Sequence, residues 1–382
     1  MIVQRRVVAV EVHPGDLSPV AAALDGSGPA LAPLRPGAAP PPSAEVPDDV
    51  ALVVTTSGST GEPRAVLLDA AALRASATAT HDRLGGPGRW LLSLPLHHVA
   101  GLQVVVRSLL SGHAPVHVPA EGGFDAAAVA ARLAALPPDA RPQYGSVVPT
   151  QLHRIVDCSE RDRRPWADLE AILVGGAATT PALLARARDA GLRVVTTYGA
   201  TETAGGCVYD GTPLTGTRVR TDDDGVVHLA GPTLARGYLG RPDLDAAAFA
   251  EHDGTRWFRT GDLGAVHDGR LRILGRADDV VVTGGVKVAP AAVEALLAGL
   301  PGVGQVCVVG VPDEEWGQRV VAVVVPSGAD PVPGLEEVRD VVRRTLGSAA
   351  APRRVVLAAG LPERGPGKVD RAAVARLAAA DR

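Results

Sequence analysis

Short apolar runs alternate with longer helix-like segments between residues 90 and 200, and this alternation restricts the fold. Strands are predicted at 90–94, 114–118, 144–148 and 171–174. Helices are predicted after them, one ending near Leu110 and the others at 124–136, 151–156 and 181–190. Repetition of strand, loop and helix favours a largely parallel sheet covered by helices. Ligands of such sheets bind beyond the carboxyl ends of the strands, so the loops there are candidate site segments.

A loop rich in glycine and hydroxyl residues follows another apolar run, at 51–54, and precedes a helix that Asp69 can cap. Glycines let the backbone approach a ligand, and amide and hydroxyl donors can converge on one phosphate. The candidate phosphate contacts are Thr56, Ser57, Gly58, Ser59, Thr60, Gly61 and Arg64. A plain Ser/Gly turn would have the same composition. The Gly-Lys-Ser/Thr of a Walker A loop is missing, which disfavours an ordinary P-loop NTPase.

Composition is that of a globular protein, with 46% hydrophobic and 21% charged residues in 382. A net charge of -4 argues against non-specific nucleic-acid binding. No stretch approaches 18 uninterrupted apolar residues, so a membrane span is not expected. The cysteines, Cys158, Cys207 and Cys307, are scattered, which predicts reduced thiols in a cytoplasm rather than a disulfide framework or a zinc site.

Lysine is scarce in this chain. Of 38 Lys and Arg residues, only Lys287 and Lys368 are lysine. A compact ammonium on a flexible stem suits chemistry at a crowded phosphate, so both positions are candidate functional residues.

A second motif, YGATE, follows the run that ends near Thr197. Tyr198 can stack on a purine, and Gly199 leaves room for the carboxyl end of a substrate. Thr201 can donate to an α-phosphate, and Glu202 can ligate Mg²⁺. In isolation, a strand end with a solvated glutamate would explain the same residues.

The remaining sequence predicts three further regions. Residues 1–50 contain a short apolar segment and then an irregular connector at 28–42. The runs 225–230 and 235–239 predict a β-rich subdomain. From residue 279 the pattern changes to a small α+β domain, with strands at 279–288, 304–311, 319–325 and 354–357 and helices beginning at Pro290 and Leu335.

Together these motifs resemble the adenylate-forming superfamily, which includes acyl-CoA synthetases, luciferases and the adenylation domains of peptide synthetases. The resemblance runs from about residue 51 to the end. It is carried by TSGSTGEPR at 56–64, PLHHVAG at 95–101, YGATE at 198–202, TGD at 260–262, LGRADD at 274–279, GGVKVAP at 284–290 and LPERGPGKVDR at 361–371. The family usually has lysine at the position of Arg64, and its members usually have a longer region before the phosphate loop.

The resemblance implies an α/β plus α+β architecture. A large N-terminal domain, residues 1–277, would combine parallel α/β sheets with a β-rich subdomain and bind ATP and the acid. A small mobile C-terminal domain, residues 278–382, would rotate about a hinge at Asp278.

The resemblance also implies residue roles. Asp262 would hold both ribose hydroxyls, since one carboxylate can accept two hydrogen bonds, and Arg276 would be a second ribose contact. Lys368 would bridge the acyl carboxylate and the α-phosphate. Gly285 and Lys287 would face the pantetheine arm of coenzyme A.

Within the superfamily, the chain looks most like the o-succinylbenzoate–CoA ligases of menaquinone biosynthesis. This narrower resemblance is carried by VPTQLHR at 148–154, by ILVGGAA at 172–178 and by the short length. In that branch the substrate is an aromatic dicarboxylate. The implied substrate contacts are His98, Arg154, Gly175, Gly176, Ala177 and Gly199, with Arg154 or His98 on the second carboxylate.

Three alternatives stay open from the sequence: another aromatic or medium-chain acyl-CoA synthetase, a peptide-synthetase adenylation domain, and a non-catalytic nucleotide-binding module. No carrier segment with an attachment serine is seen, which disfavours the second. The expected ligands are ATP, Mg²⁺, coenzyme A and a carboxylic acid, and the expected location is the cytoplasm. A homodimer is left open.

Overall fold

A computed structural model describes residues 4–38, 44–56, 63–118, 123–328, 330–365 and 368–380, without the side chains of residues 364, 365 and 368. Elements are numbered in chain order below.

The first sheet is formed mainly by the N-terminal 70 residues. Its elements and the helix after it are β1 (Gln4–Val10), α1 (Ser18–Asp25), β2 (Ala30–Pro33), β3 (Glu45–Pro47), β4 (Val50–Thr56), β5 (Arg64–Asp69) and α2 (Ala70–Leu84). The strand order is β5-β4-β2-β1-β3. Asp69 accepts a hydrogen bond of 2.6 Å from the Ala72 amide and caps α2 as predicted.

The irregular connector predicted at 28–42 is wrong for its first part. Ala30 to Pro33 form β2, which lies between β1 and β4. Ala30 and Leu31 are almost completely buried there. Burial of this short apolar run outweighs the loop-like Pro/Ala/Gly composition around it, and Pro33 stands at the strand end, where a missing N–H costs least.

The second sheet follows the predicted alternation. Its elements are β6 (Trp90–Leu92), α3 (Val99–Ser111), β7 (Val116–His117), α4 (Ala126–Ala134), β8 (Tyr144–Val147), α5 (Pro149–Asp157), α6 (Glu160–Ala167), β9 (Ala171–Val174), α7 (Pro181–Asp189), β10 (Val194–Ala200), β11 (Gly205–Tyr209) and β12 (Thr212–Pro213). The order is β12-β11-β10-β9-β8-β6-β7. The strands from β10 to β7 are parallel, and β11 and β12 extend the sheet in antiparallel fashion.

A third, antiparallel sheet follows. The elements of this region are β13 (Arg218–Thr221), β14 (Val226–Ala230), β15 (Gly237–Tyr238), α8 (Pro242–Ala248), β16 (Phe249–His252), β17 (Thr255–His267) and β18 (Arg270–Arg276). The sheet has the order β13-β14-β17-β16, with β18 also on β17.

The prediction that 235–239 belongs to the β-rich subdomain is wrong in one respect. β15 pairs with β5 at the edge of the first sheet, with Tyr238 opposite Val66. Tyr238 is only 3% exposed and packs into the core of that sheet. The apolar burial of this tyrosine therefore joins β15 to a distant part of the chain.

The last region is a small α+β unit with its own core. Its elements are β19 (Val281–Thr283), β20 (Val286–Val288), α9 (Pro290–Leu297), β21 (Val303–Asp313), β22 (Gly317–Pro326), α10 (Leu335–Leu346), β23 (Arg354–Leu357), β24 (Glu363–Gly365), β25 (Lys368–Val369) and α11 (Arg371–Ala380). The order is β20-β19-β22-β21, with β23 parallel to β22.

The strand predicted at 279–288 is two strands, because Gly284 and Gly285 have φ angles of +55° and +79° and turn the chain between them. The predicted α/β plus α+β fold class is confirmed. Within the described ranges, no helix is both long enough and apolar enough to cross a membrane.

Candidate active site

The candidate phosphate loop connects two paired strands. Thr56 lies opposite Arg64 at the loop end of the β4–β5 hairpin, and the Thr56 hydroxyl donates to the Arg64 carbonyl over 3.4 Å. Ser57, Gly58, Ser59, Thr60 and Gly61 lie outside the described residues. The hairpin therefore fixes the two ends of the loop.

Arg64 and Glu202 approach the same tyrosine. The Tyr238 hydroxyl donates a 2.8 Å hydrogen bond to Oε1 of Glu202. The guanidinium carbon of Arg64 is 6.0 Å from the centroid of the Tyr238 ring. Burial and the Glu202 carboxylate raise the pKa of Tyr238, so the hydroxyl stays a donor. A cation and a carboxylate thus meet at β5 and β15, close in sequence to the candidate phosphate loop.

The backbone around Glu202 is held at several points. Thr201 to Thr203 form a 3₁₀ turn directly after β10, and the Ala235 amide donates to the Glu202 carbonyl over 2.8 Å. The buried Thr203 hydroxyl accepts from the Ala200 amide at 2.9 Å and donates to the Gly205 carbonyl at 2.7 Å. These bonds fix where Thr201 and Glu202 stand at the sheet edge.

Tyr198 and Asp262 are joined although 64 positions separate them. The Tyr198 hydroxyl donates to Oδ2 of Asp262 at 2.8 Å, and Nη1 of Arg276 donates to Oδ1 at 3.2 Å. Nη2 of Arg276 reaches Asp278 at 3.2 Å. Burial and the negative charge of Asp262 raise the pKa of Tyr198. Burial alone would lower the pKa of Arg276, but Asp262 and Asp278 outweigh it and the net shift is upward.

This chain of contacts connects three predicted residues with the predicted hinge. Asp262 lies on β17 and Arg276 at the end of β18, directly opposite it in the ladder. Asp278 stands in the 3₁₀ turn that follows. A nucleotide bound at Asp262 would therefore contact the same carboxylate as the Arg276 guanidinium, which also bonds Asp278.

The glycines expected to border the substrate are required by close packing. A Cβ at Gly175 would lie 2.1 Å from the Thr197 hydroxyl oxygen, and one at Gly199 would lie 2.2 Å from the Gly205 carbonyl. Gly176 has a φ of +81°. Gly175 and Gly176 lie directly after β9 and Gly199 lies within β10, with Ala177 half-buried, so close backbone packing requires glycine at Gly175 and Gly199.

His98 directly precedes α3, and its ring lies 4.3 Å from that of His97. Burial lowers the pKa of His97, with Arg35 adding to the effect. A Cβ at Gly101 would lie 2.3 Å from the Pro95 carbonyl oxygen, so this glycine lets α3 begin close to the preceding loop. His98 is thereby fixed after β6, at the edge where the sheet's ligand loops lie.

Arg154 has a different environment. It is exposed on α5, and its Nη1 donates to the Phe124 carbonyl at 2.9 Å. The guanidinium is thus engaged by the loop before α4. Its role on a substrate carboxylate stays a prediction.

The two lysines lie in the C-terminal unit. Lys287 is exposed on β20, paired with Val282 and next to the Gly284–Gly285 turn. The Gly284 amide donates to the Trp316 carbonyl at 2.9 Å. The backbone of Lys368 forms β25, whereas its side chain lies outside the described atoms.

Comparison with known proteins decides the family. The model of the AMP-binding enzyme family matches residues 4–239, and that of the AMP-binding enzyme C-terminal domain matches residues 292–368. The chain belongs to the AMP-binding enzyme family. The resemblance inferred from the motifs is therefore confirmed.

Relatives refine this placement. A Mycobacterium tuberculosis protein named Probable 2-succinylbenzoate–CoA ligase is 47% identical over 335 residues, which cover 87% of this chain and 85% of the relative. The o-succinylbenzoate CoA synthetase MenE of Bacillus subtilis, solved with the acyl-adenylate OSB-AMP, aligns with a TM-score of 0.71 and 27% identity over 85% of this chain and 69% of MenE. The amide bond synthetase McbA of Marinactinospora thermotolerans aligns with a TM-score of 0.78 and 27% identity over 98% and 80%.

Two residues that sequence reasoning missed support this AMP-binding site. Tyr238 belongs to a predicted strand whose partner could not be read from the sequence. Thr203 stands directly after the YGATE motif, and only its burial shows that its hydroxyl organises the turn. An aromatic in a run otherwise rich in small residues is the signal that could have directed attention to Tyr238.

The donors present fit Mg²⁺ bound together with a nucleotide. Glu202 supplies a hard carboxylate oxygen, and one of its two oxygens is oriented by Tyr238. No group of three metal-ligating side chains occurs among the described residues. Mg²⁺ is commonly held by one or two carboxylates and by substrate phosphates, and a single carboxylate here agrees with that mode.

Proposed function

We propose that this protein is an ATP-dependent acid–CoA ligase that converts o-succinylbenzoate to o-succinylbenzoyl-CoA in menaquinone biosynthesis. The observation that carries the proposal is the meeting of Glu202, Arg64 and Tyr238 at the hairpin of the candidate phosphate loop. The substrate follows from the 47% identity to the mycobacterial protein named for that acid. Other aromatic or medium-chain acids are the alternative.

In the first half-reaction, the acid's carboxylate oxygen attacks the α-phosphorus of ATP, which yields acyl-AMP and pyrophosphate. Two anions must meet, so the site has to supply positive charge and alignment rather than a strong base. Arg64 and Lys368 would supply charge, and Thr201 a hydroxyl donor to the α-phosphate. Mg²⁺ held by Glu202 would neutralise phosphate charge.

Nucleotide positioning would fall to Tyr198, Gly199, Asp262 and Arg276. The Asp262 carboxylate is already oriented by two donors, so it is fixed before a ribose arrives. Tyr198 would present its ring to the adenine while its hydroxyl stays on Asp262.

In the second half-reaction, the thiol of coenzyme A attacks the acyl carbonyl and AMP leaves. We place the boundary between residues 277 and 278, with the C-terminal unit rotating about Asp278 so that Gly285 and Lys287 replace Lys368 at the acyl group. Support comes from the 3₁₀ turn at the boundary and from the separate core of the C-terminal unit.

His98, Gly175, Gly176, Ala177 and Gly199 would border the acyl group. The small wall formed by Gly175, Gly176 and Ala177 would suit a flat aromatic ring. Either His98 or Arg154 would neutralise the second carboxylate of the acid. Arg154 gives one N–H to the Phe124 carbonyl, and its other N–H groups would be the donors to the acid.

A cytoplasmic location and a homodimer complete the proposal. All three cysteines are free thiols, as a reducing compartment allows, and ATP and coenzyme A are substrates of that compartment. Sedimentation velocity at two protein concentrations would test the homodimer.

ATP–pyrophosphate exchange tests the proposed function, with o-succinylbenzoate, benzoate, a medium-chain fatty acid and a set of amino acids as acids. Exchange with o-succinylbenzoate only, and thioester formation on adding coenzyme A, is the expected result. The Glu202→Gln variant should lose exchange, whereas Glu251→Gln on an exposed strand should keep it. Exchange with a different acid would overturn the substrate assignment.

A second part of this experiment measures which product the acyl-adenylate gives, a thioester or an amide. Because the fold also matches an amide bond synthetase, the enzyme is offered coenzyme A and a primary amine together. Predominant thioester supports the ligase, and predominant amide would contradict it.

A further inference from the structure

A cavity of about 490 Å³ opens between the third sheet and the first. Its wall includes three arginines: Arg218 on β13, Arg236 before β15 and Arg256 on β17. Leu234 is the one large apolar side chain among the described lining residues. The cavity is therefore polar and rich in positive charge.

The cavity lies away from two of the nucleotide residues along their strands. Its wall includes Asp69, at the opposite end of β5 from Arg64, and the five-residue step from Arg64 to Asp69 spans about 17 Å of strand. It also includes Thr255, seven residues before Asp262 on β17, or about 24 Å along the strand. On another side the cavity adjoins the candidate site, because Leu234 and Arg236 flank Ala235, whose amide donates to the Glu202 carbonyl.

Two of the arginines are held without a carboxylate partner. Arg256 donates to the carbonyls of Ala235 at 2.7 Å and Arg236 at 2.8 Å, and its guanidinium carbon lies 4.1 Å from the Phe249 ring centroid. Burial lowers the pKa of Arg256. Within the described part of the chain, no carboxylate oxygen lies within 4 Å of the side-chain nitrogens of Arg218 or Arg256. Both charges are thus available to a ligand.

Arg218 is fixed by neutral partners. It donates to the Thr255 hydroxyl, and its guanidinium carbon lies 5.6 Å from the Trp257 ring centroid. Arg220, two residues on, stacks on the same ring at 4.5 Å and adds a further positive charge nearby.

The nearby carboxylates have other partners. Asp69 caps α2 through the Ala72 amide. Asp245 accepts from the Tyr238 amide at 2.7 Å. Asp49 pairs with Arg236 through two contacts, from Nη2 to Oδ2 at 2.5 Å and from Nε to Oδ1 at 3.4 Å, and both side chains are about half exposed. An anion in the cavity would therefore compete with Asp49 for Arg236, and Arg218 and Arg256 are the main candidate donors.

Glycines keep the cavity wall free of side chains. Gly216, Gly231 and Gly254 line it, with φ angles of +82°, +142° and +66°. At Gly231 a Cβ would lie 2.5 Å from the Gly216 carbonyl oxygen. The backbone here requires glycine, and the space in front of the arginines stays open.

We propose that this cavity is a second anion site that takes a small phosphate-bearing molecule. The three arginines come from separate segments of the chain and line the same cavity, so a phosphate bound there would have more than one guanidinium to accept from. A tetrahedral phosphate offers oxygens in several directions, whereas a carboxylate offers two in one plane. The inference does not depend on the proposed acid substrate.

Isothermal titration calorimetry with inorganic phosphate tests the site. The full chain is saturated with a non-hydrolysable ATP analogue, so the nucleotide site is filled, and ionic strength is held constant with chloride. The variants are Arg218→Gln and Arg256→Gln. Arg272→Gln is the matched control, because Arg272 is exposed on β18 and does not line the cavity.

The expected result is saturable phosphate binding that weakens about tenfold or more in Arg218→Gln and Arg256→Gln and is unchanged in Arg272→Gln. Arg256 holds two backbone carbonyls, so circular dichroism checks its folding, and Arg218→Gln decides alone if Arg256→Gln misfolds. Absence of saturable binding in the unaltered protein would overturn the proposal. So would equal affinity in all variants, and equal binding of citrate would overturn the choice of phosphate.

Discussion

The hydroxyl of Tyr238 donates a 2.8 Å hydrogen bond to Oε1 of Glu202, across 36 positions of sequence. Tyr238 stands on β15, which pairs with β5 directly beyond Arg64. A single tyrosine therefore connects the strand that leaves the phosphate loop with the carboxylate of the YGATE motif. The Glu202 carboxylate is oriented by this bond.

Replacement of Tyr238 by Phe should weaken the binding of Mg²⁺ through Glu202, because the glutamate loses the hydrogen bond that orients it. A hydrogen bond to a charged group contributes about 1.5–3 kcal/mol, so kcat/KM at low Mg²⁺ should fall about tenfold or more. ATP–pyrophosphate exchange measured against Mg²⁺ concentration should show a higher half-saturating Mg²⁺. Tyr144→Phe is the control, because its hydroxyl serves only the carbonyls of Leu84 and Gly86 among the described contacts. An equal Mg²⁺ shift in both variants would contradict the role of Tyr238.

Arg64 should be replaceable by lysine but not by a neutral residue. Its guanidinium lies beside the Tyr238 ring at the exit of the phosphate loop, where either cation can face a phosphate. Arg64→Gln should raise the KM for ATP about tenfold or more, and Arg64→Lys should stay within a few-fold of the unaltered enzyme. Initial rates of exchange at varied ATP concentrations measure both. A loss with lysine as large as that with glutamine would show that the planar fork, not the charge, is required.

The sequence predicted the fold where a strand or helix can be recognised from neighbouring residues alone. The alternation between 90 and 200 predicts strand, loop and helix, and the parallel pairing of the strands from β10 to β7 agrees with the largely parallel sheet expected from it. The order of the strands was not predicted. The strand at 30–33 was missed because its partners β1 and β4 lie elsewhere in the chain. Its burial is a tertiary effect that Pro/Ala/Gly composition conceals.

In the candidate site too, residues that stand in a local motif were predictable and their distant partners were not. Glu202, Asp262 and Arg276 were predicted as site residues because each stands in a short motif. Their partners were not predicted, since Tyr238 and the bond between Tyr198 and Asp262 depend on pairing across long sequence separations. A sequence pattern identifies a candidate site residue more readily than the residue that orients it.

Thr203 should contribute strongly to stability. Its side chain is fully buried, and its hydroxyl serves the Ala200 amide and the Gly205 carbonyl. Thr203→Val keeps the shape but leaves both groups unpaired, which should cost about 2–4 kcal/mol. Thr203→Ser keeps the hydroxyl and should cost much less. The urea midpoints of the two variants decide this, and equal midpoints would show that the hydroxyl is not needed.

Acidification should destabilise the protein through His81. Burial is the main cause that lowers the pKa of His81 from its ordinary value of 6.5, with Arg107 adding to it, and Nε2 faces the Trp90 Nε1 donor at 3.4 Å. Between the folded pKa and 6.5 the unfolded chain binds the additional proton, so stability falls as the pH drops below 6.5.

His81→Asn should reduce this pH slope by up to about 1.4 kcal/mol per pH unit. Urea unfolding at several pH values between 5 and 8 measures it. Burial also lowers the pKa of His97 and His117, so part of the slope should remain. His267→Gln, at a side chain 89% exposed, should leave the slope unchanged. An unaltered slope in His81→Asn would refute the assignment.

The two lysines should separate the two half-reactions. If Lys368 acts only in adenylation, Lys368→Ala should abolish ATP–pyrophosphate exchange yet form thioester from supplied acyl-AMP and coenzyme A. If the Gly285 and Lys287 face acts only with coenzyme A, Lys287→Ala should keep exchange and slow thioester formation. Each variant is the control for the other, since each removes one ammonium from the same unit. Equal loss of both steps in either variant would contradict rotation about Asp278, because one fixed arrangement would then serve both reactions.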